Sequence, residues 1–569
     1  MTEISRAAQV ANLANEVVSV KDFGAVGDGA TNSSNNDTAA FTAALASGRS
    51  VHIPAGTYNV DTQGIFVSSN TTIFGDGIGA TIVRTNSYDA NKGIFSVEGK
   101  SDVTIKEMTL QSLRNGDTVA VDNTAIKGAS GAGCQRINLE KLWIKDFGYY
   151  AIHLRNATDC FVDKCRMTNL GRAGFMGLGC FNTHVHNCYV KDVSPGSGGV
   201  APNINAYGIV FSMSEQTGEP RSERCSVVSN HIENIPSWEA IDLHGSSDIL
   251  ISDNYIRKCA IGIYIGAATG TANLSPERVK VIGNSLYDGG LGGSSTIRAG
   301  ILLSATPDGG TTVGDDFIIT NNYIQGYGTS NYADNQEGAI DISYCRSVVV
   351  SNNNLHQNRW AHIRLKADVT NCIIKGNTFR RGLGTPNAAD KIWCLVVLGA
   401  DIGATFVHNN VYREGGHLNG IWVKNTPATG AASVYYGIRV GSNTFMNTQG
   451  GAYVDFEAST VGRLHESSSI FRKPYASGKI QSNGTIRTSI NVTNVVRTGT
   501  GEYDINLDIP VLSTNDMHVT ASAVGSAARI VNAQPNDTDT LKIKVFDSGG
   551  SLTDGEFQFQ VNGKVTQMP

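Results

Sequence analysis

The chain has 569 residues, of which 64 are glycines and 17% are charged, and its formal net charge is −5. This charge gives no reason to expect nucleic acid as a partner. No run of about 18 apolar residues is present, so no membrane span is expected. The N-terminus lacks a basic segment followed by an apolar core, so no signal peptide is expected either.

The cysteines favour free thiols. All ten lie between Cys134 and Cys394, and none has the paired C-x-x-C spacing of a metal site. We therefore expect folding in a reducing cytoplasm, with neither a metal nor another cofactor.

Two helical patterns precede the rest of the chain. Residues 1–18 are rich in alanine and place apolar side chains near helical spacing, which predicts a neck or linker segment. Asp37 then precedes an apolar stripe that includes Phe41 and Leu45, which predicts a helix over residues 37–46 with Asp37 as its N-cap. We expect this helix to cover the first rung of a sheet structure, because a sheet edge would otherwise be exposed.

The longest part of the chain repeats the frame apolar-x-x-Asn-x-apolar. The asparagine of the frame recurs at Asn230, Asn254, Asn284, Asn322, Asn353, Asn377, Asn410 and Asn443. Upstream, Cys165 and Cys188 hold the same slot, and Leu142 holds it less clearly. The shortest interval is 23 residues, and together with short runs of alternating apolar residues it predicts a right-handed parallel β-helix over residues 19–473.

The asparagine column has a physical explanation in such a fold. Asparagine tolerates left-handed backbone at a tight bend, and its amide can bond to the asparagine of the next rung. Because no rung buries its apolar face alone, the core forms only through stacking.

The composition changes near residue 474, where the rungs stop. Residues 474–569 contain short alternating strands separated by turn signals, which predict a small antiparallel β-sandwich. The predicted fold class is therefore all-β: a parallel β-helix solenoid, a short N-terminal capping helix and a C-terminal sandwich that serves trimerisation or glycan binding.

A resemblance to a known family rests on the segment before the repeats. Residues 20–29 read VKDFGAVGDG, residues 37–45 read DTAAFTAAL and residues 51–58 read VHIPAGTY. This pattern resembles the opening segment of the pectate-lyase-like superfamily, and it looks most like the branch of bacteriophage tailspike depolymerases. The same opening is shared by lyases, hydrolases, epimerases and non-catalytic proteins, so it specifies the fold strongly and the chemistry weakly.

The resemblance implies a virion tail protein, assembled in the host cytoplasm and active at the bacterial cell surface. Its implied ligand is a bacterial capsular polysaccharide or O-antigen. A homotrimer is implied as well, together with other phage tail proteins bound through an N-terminal part, and no membrane or nucleic acid. The identity of the glycan and the bond cleaved are not readable from the sequence.

A second alignment predicts the face that contacts the glycan. After each asparagine turn the next strand has the register small-apolar-x-apolar, and alternation directs its isoleucines and leucines inward. The intervening positions point outward and form a stripe of acids, bases and aromatic side chains on a rigid support, which suits an extended polysaccharide. The predicted substrate-binding residues are His153, Trp238, His244, Tyr264, Arg364, Lys366 and Trp422.

Hydrolysis of a glycosidic bond needs two carboxyl groups. Asp242 and Asp341 share the outward column but lie three rungs apart, roughly 14 Å at strand spacing, which is too far for a simple pair. Glu239 would face Asp242 if the chain turns near Glu239, and these two are the first candidates for acid and for base or nucleophile. Asp341 with Glu337 is the reserve pair, unless Asp341 forms an ion pair with Arg364.

Two other functions stay open from the sequence. A polysaccharide lyase that acts by β-elimination needs a base, such as His244, and a cation for the substrate carboxylate, such as Arg364 or Lys366. No aspartate cluster has the spacing of a lyase calcium site, which disfavours this alternative. The third function is a non-catalytic, glycan-binding adhesin with the same groove.

Overall fold

The computed structural model describes residues 16–29, 37–60, 64–85, 93–113, 124–128, 131–194, 205–213, 218–268, 274–289, 298–305, 313–328, 338–359, 361–366, 368–380, 392–398, 402–403, 405–413, 418–424, 435–436, 439–441, 443–446, 454–456, 465–466, 476–490, 492–508, 518–524 and 529–562. Between residues 392 and 466 it covers strand backbone and only a few side chains. The chain divides into two compact units, residues 1–469 and 470–569.

The described part of the first unit is a stack of parallel strands arranged in three columns, which confirms the predicted parallel β-helix. The first column precedes the asparagine turn and contains Val17–Ser19, Ser50–Ile53, Thr71–Gly75, Ala157–Thr158, Phe161–Asp163, His184–His186, Ser226–Val228, Leu250–Ser252, Glu277–Ile282, Gly314–Thr320, Cys345–Ser351, Val369–Lys375, Ile402–Gly403, Phe406–His408, Tyr435–Tyr436, Arg439–Gly441 and His465–Glu466.

The second column follows the asparagine turn and contains Gly56–Val60, Thr81–Thr85, Arg166–Leu170, Tyr189–Val193, Ser285–Tyr287, Tyr323–Gln325, Asn354–His356, Thr378–Arg380, Val411–Arg413 and Thr444–Met446. The third column contains Ile65–Phe66, Gly93–Ser96, Thr124–Gly128, Tyr150–Arg155, Ala173–Leu178, Tyr207–Ser212, Ile301–Ser304, Ile340–Ser343, Ala361–Leu365, Ile392–Leu398, Leu418–Lys424 and Val454–Phe456.

Four long strands pass through two columns each. Ser101–Ser112 and Cys134–Lys145 join the first column to the second, and His231–His244 and Tyr255–Gly266 join the second to the third. Inward-facing apolar side chains from all three columns form one continuous core from Val18 to Val440. Burial of each valine, leucine or isoleucine contributes about 2 kcal/mol, and only stacked rungs provide that burial.

The asparagine column forms a continuous ladder of buried amides, as predicted. Asn322 shows the pattern: its amide Nδ2 donates to Oδ1 of Asn353 and to the carbonyl of Val281, both at 3.0 Å. Its Oδ1 accepts from the backbone N–H and the Nδ2 of Asn284, at 2.9 and 3.0 Å. The ladder starts at Cys188, whose backbone N–H donates to Oδ1 of Asn230 at 2.9 Å. Each side chain therefore satisfies main-chain groups of the neighbouring rungs that would otherwise be buried without partners.

The left-handed backbone lies one residue before the ladder position. Asp253, Asn321, Asn352 and Asn409 have φ between 55° and 59°, and each immediately precedes a ladder asparagine. The prediction that the ladder asparagines themselves take this conformation is therefore wrong. The ladder position requires the side-chain amide, and the preceding residue makes the bend.

The cysteines agree with the prediction of free thiols. Nine cysteines are described, and all nine are unpaired and buried. Cys165 and Cys188 are 1% and 2% exposed, consistent with small apolar residues in the ladder slot.

Two helices are found in the described residues, the 3-10 helix Val20–Phe23 and the α-helix Thr38–Ala46. The α-helix buries Phe41 and Leu45 in the core, as its apolar stripe predicts. Within the described chain, no helix is long and apolar enough to span a membrane.

Asp37 stands at the N-cap position of the α-helix, but its side chain makes no capping hydrogen bond. Its carboxylate instead accepts from the N–H of Val26 at 2.8 Å and from the N–H of Asn59 at 3.0 Å. The prediction of side-chain capping is wrong, because this buried carboxylate connects the helix start to the opening segment and to the second column.

The second unit contains two four-stranded antiparallel sheets around one apolar core, the predicted sandwich. Buried Tyr503, Ile543, Phe557 and Phe559 belong to this core. In spatial order the first sheet contains Ile486–Ile490, Ala476–Ile480, Phe557–Asn562 and His518–Ala523, and the second contains Val492–Gly499, Glu502–Leu507, Thr540–Asp547 and Arg529–Pro535.

Replacing a ladder asparagine should destabilise the solenoid far more than replacing its neighbour. We expect Asn353→Ala to lower the free energy of unfolding by about 3 kcal/mol, because buried amide and carbonyl groups on two rungs lose their partners. Asn354→Ala is the matched control, since Asn354 is only half-buried and begins the strand that follows the turn. Urea titration followed by circular dichroism measures both variants, and equal losses of stability would contradict the role given to the ladder.

Candidate active site

The third column aligns the outward residues in the register that the small-apolar-x-apolar pattern predicts. Rung by rung, the paired positions are Lys127, His153, Met176, Val210, Asp242, Tyr264, Leu302, Asp341, Arg364, Val396 and Trp422. Asp242 and Asp341 are thus three strand steps apart, roughly 14 Å, and do not form a pair.

The side chains of this column lie outside the solenoid core. Met176 and Val210 pack in a separate cluster with Tyr150 and Tyr207, and Leu302 packs in another with Ile261. The sequence predicts a long exposed stripe. This prediction is wrong for most of the column, because apolar and aromatic side chains lie between the polar ones and pack beside them. The column residues below 10% exposure are Lys127, His153, Met176, Val210, Asp242, Leu302, Asp341 and Arg364.

Glu239 and Asp242 reach the same outer face because the strand His231–His244 turns a corner between them. The pairing with the next rung is irregular between Ile235 and Glu239, and Ala240 and Ile241 are both part of the solenoid core. Two consecutive inward residues leave the residues on either side of them, Glu239 and Asp242, on the outside. The sequence analysis expects Glu239 to face Asp242 only if the chain turns near Glu239, and the strand does turn there.

The two carboxyl groups are almost fully buried and differ in their partners. Glu239 is 2% exposed and Asp242 is 1% exposed. The Oε2 atom of Glu239 finds no hydrogen-bond partner within the described part of the chain. Oδ1 of Asp242 lies 3.1 Å from Nε2 of His244. Neither Oε2 of Glu239 nor Oδ1 of Asp242 makes a hydrogen bond of good geometry within the described residues, but Asp242 lies at ion-pair distance from His244 and Glu239 has no such partner there.

Burial raises the pKa of Glu239 well above its ordinary value, and the charge of Asp242 raises it further. Two neighbouring buried carboxyl groups cannot both ionise easily, so one of them holds a proton near neutral pH. The raised pKa makes Glu239 the member of the pair that favours the protonated form.

The surroundings of His244 favour its doubly protonated form. Its Nδ1 donates to the carbonyl of Ala267 at 3.2 Å, so Nε2 must also carry a proton to face the carboxylate of Asp242 favourably. Burial lowers the pKa of His244, but the charge and hydrogen bond of Asp242 together with the Ala267 carbonyl outweigh it and raise the pKa above its usual value. The His244 side chain is 33% exposed, so solvent reaches the cluster at this residue.

Tyr207 belongs to the same cluster and is missed by the sequence alignment. Tyr207 and Glu239 each lie two residues before the strand partners Ile209 and Ile241. Burial raises the pKa of the Tyr207 hydroxyl, and the charges of Asp242 and Glu239 raise it further. Its Oη accepts from Nδ2 of Asn205 at 2.8 Å. The sequence does contain a pattern that could identify Tyr207. It immediately precedes Gly208, the small residue of its rung, just as Glu239 immediately precedes Ala240, the small residue of the next rung.

Aromatic side chains lie on two sides of the cluster. Half-buried Trp238 packs against the outer cluster that contains Tyr150 and Tyr207. On the other side Tyr264, the strand partner of Asp242, places its ring 5.1 Å from the ring of His244. Such rings can pack on the apolar faces of sugars while the carboxyl groups act on the bond between them.

The second candidate pair has a different environment. Asp341 accepts a hydrogen bond from the side chain of Arg364 and another from the N–H of Gly338 at 3.0 Å. Asp341 and Arg364 are each 1% exposed. The ion pair that the sequence analysis weighed against a catalytic role is therefore present, while Glu337 lies outside the described residues.

The remaining predicted residues are spread along the face. His153 lies three rungs before Asp242 and contacts the ring of Tyr150, with 4.8 Å between ring centroids. Lys366 is exposed two residues after Arg364. Trp422 lies in the strand Leu418–Lys424, and its side chain lies outside the described residues.

The cluster can supply a proton from Glu239 and a negative charge from Asp242 within one aromatic-walled site. A site of this composition can perform acid–base chemistry on a glycosidic bond. No group of three or more His, Cys, Asp or Glu side chains placed to hold a metal ion exists among the described residues.

Known proteins resemble parts of the chain. Over 149 residues the chain is 31% identical to mannuronan C5-epimerase AlgE1 of Azotobacter vinelandii, covering 24% of this chain and 10% of the relative. Over 68 residues it is 50% identical to the putative phage-related protein YobO of Bacillus subtilis strain 168, covering 12% of this chain and 8% of the relative. The chain thus spans a tenth or less of the length of these two curated relatives.

Solved structures include similar folds. The Dettilon tailspike protein aligns over 97% of this chain and 95% of its own, with 14% identity and a TM-score of 0.42. The family described as rhamnogalacturonase A/epimerase, pectate lyase-like, matches residues 17–264, which contain the opening segment and the rungs up to Tyr264. Over these matched residues the chain is similar to the pectate-lyase-like family.

Proposed function

We propose that this protein is a phage tailspike that binds a bacterial surface polysaccharide, capsule or O-antigen, and depolymerises it by hydrolysis. The observation that carries the proposal is the buried pair of Glu239 and Asp242, in which Oε2 of Glu239 has no hydrogen-bond partner among the described residues and Asp242 lies 3.1 Å from His244. The phage assignment is supported by the similarity to a phage-related protein, and activity on a polysaccharide by the similarity to an epimerase named for mannuronan.

In the proposed reaction Glu239 is the general acid. Its raised pKa keeps the proton available at neutral pH, and its Oε2 has no competing partner among the described residues. Transfer of this proton to the glycosidic oxygen lets the bond break, with the electron pair leaving on the aglycone oxygen.

Asp242 provides the negative charge that the positively charged sugar ring requires in the transition state, as base for water or as nucleophile. His244 orients this carboxylate through the 3.1 Å contact. Tyr207, Trp238 and Tyr264 line the sugar subsites next to the reacting bond.

A second candidate is β-elimination on a uronate-containing glycan. The similarity to a mannuronan C5-epimerase is the observation that favours it. A lyase produces a new unsaturated uronate that absorbs in the ultraviolet, whereas a hydrolase releases reducing ends without this absorbance, so one assay separates the two reactions.

The proposal includes the biological setting. The protein is assembled as a homotrimer in the host cytoplasm, joins other tail proteins through an N-terminal part and acts at the bacterial surface as part of the virion. We assign residues 19–473 to glycan cleavage and residues 474–569 to trimerisation or glycan binding.

The catalytic assignment predicts the behaviour of two amide variants. Glu239→Gln and Asp242→Asn should each lower turnover by about two or more orders of magnitude, because each removes one half of the acid–base pair while conserving shape. Turnover is measured as reducing ends released from purified capsular and O-antigen polysaccharides, and glycan binding should be nearly unchanged.

The reserve pair supplies the controls. Glu337→Gln should retain activity, and Asp341→Asn should lose about 3 kcal/mol of stability rather than catalytic rate, because Arg364 loses its charged partner in a buried position. Near-normal turnover of Glu239→Gln and Asp242→Asn would refute the assignment. Absence of clearing on every capsulated or smooth host tested, including the phage's own host, would refute depolymerisation.

The raised pKa values also predict the pH dependence of stability. A carboxyl group whose pKa is higher in the folded state destabilises that state as pH rises above its unfolded pKa, about 4.3 for glutamate. The ion pair of His244 stabilises the fold below about pH 6.5 and loses this contribution as pH rises through its raised folded pKa. Both effects make the solenoid less stable at pH 8 than at pH 5.

Glu239→Gln should remove the first of these effects and stabilise the solenoid at pH 8 by about 1 kcal/mol or more relative to the unchanged protein. Thermal unfolding at pH 5 and pH 8 measures the difference. Glu233→Gln, which removes a half-buried glutamate from the same strand, is the control for a general effect of lost charge. A Glu239→Gln variant with the same pH dependence as the unchanged protein would show that Glu239 is ionised throughout.

A further inference from the structure

The two sheets of the C-terminal sandwich have outer faces of different chemistry. The outer face of the second sheet carries cross-strand ion pairs, Lys544 with Glu502 at 2.9 Å and Lys542 with Asp504 at 4.0 Å. It also exposes Ile530. This is the usual composition of a solvated sheet face, whereas most side chains on the outer face of the first sheet are uncharged.

The outer face of the first sheet is built from hydroxyl and carboxamide side chains, and we call it the hydroxyl–amide face. Its members are Ser477, Thr488, Thr520, Ser522, Gln558 and Gln560. The strand register arranges them in two rows across the sheet, since Gln558 pairs with Lys479 and Ser522, and Gln560 pairs with Ser477 and Thr520. The short serine and threonine side chains make the floor of a shallow trough that crosses all four strands.

The trough has little net charge. Lys479 is the charged residue in its lining, and its Nζ lies 3.7 Å from Oε1 of Glu556, which Arg487 also contacts at 3.2 Å. Gln558 donates from Nε2 to the hydroxyl of Ser522 at 3.1 Å, which fixes the orientation of one amide. The face therefore offers oriented donors and acceptors with only a weak electrostatic preference for an anion, since Lys479 and Arg487 share one carboxylate.

The composition of the hydroxyl–amide face favours one kind of ligand over others. The cores of protein interfaces are enriched in aromatic residues, methionine and arginine and depleted in serine, so the face is a poor match for a second copy of the chain. An anionic ligand would gain little from it, because its lysine is already paired. An uncharged polyol chain, whose hydroxyl groups both donate and accept hydrogen bonds, matches a surface of hydroxyl and amide groups held on rigid strands.

We infer that the hydroxyl–amide face is a binding site for a neutral polysaccharide chain, separate in function from the carboxyl pair of the solenoid. The face binds and does not cleave, since the described residues that line it include no carboxyl group. Each contact is weak because hydroxyl and amide groups exchange one set of hydrogen bonds for another. Several copies of the site that bind one long polymer at the same time would raise the overall affinity.

The test is affinity electrophoresis of the full chain in native gels that contain dextran, yeast mannan or amylopectin, with alginate as the anionic comparison. The double variant Gln558→Ala/Gln560→Ala removes two exposed amides from the face. Asn532→Ala/Gln534→Ala is the matched control, because these amides are also exposed and lie on an outer strand of the second sheet. We expect at least one neutral polymer to retard the protein, with at least fivefold weaker apparent binding in the first variant and unchanged binding in the control.

The inference is overturned if none of the three neutral polymers retards the protein, if alginate alone does so, or if both double variants bind equally well. It is also overturned if light scattering shows that the first variant changes the oligomeric mass, because the face would then be an interface between copies. The result is independent of the proposed hydrolysis, since a chain inactive through Glu239→Gln is expected to be retarded as strongly as the unchanged protein.

Discussion

Side-chain amides stacked along the solenoid axis hold neighbouring rungs in register. Each ladder asparagine, such as Asn322, satisfies backbone groups of the rungs on both sides while it bonds to the next side chain of the same kind. A rung displaced by one residue would break these bonds and turn its apolar side chains outward. Every alignment of side chains on the third column depends on this register.

The regular stacking of rungs does not by itself bring two carboxyl groups together. The candidate active site forms where the strand pairing is locally irregular. The corner in the strand His231–His244 turns two successive residues into the core and leaves Glu239 and Asp242 on one outer face. Burial then raises the pKa of Glu239, while His244 lies 3.1 Å from the carboxyl group of Asp242. The proposed division of labour between two carboxyl groups follows from these unequal surroundings.

Periodicity predicts the features that every rung shares. The ladder, the fold and the members of the third column follow from spacing, because each rung must stack on an equivalent one. The burial of the column does not follow, since it depends on how Met176, Val210 and Leu302 pack beside the polar side chains. The position of Tyr207 and the non-capping role of Asp37 were missed for the same reason, because both depend on contacts between distant residues.

The central claim is that Glu239 holds a proton at neutral pH beside the carboxyl group of Asp242. Infrared difference spectroscopy between the unchanged protein and Glu239→Gln at pH 7 tests it directly, because a protonated carboxyl group and a carboxylate absorb at different frequencies. The account predicts that the unchanged protein has a carboxylic-acid band that the variant lacks, with no difference in the carboxylate bands. A difference confined to the carboxylate bands would show an ionised Glu239 and contradict the account.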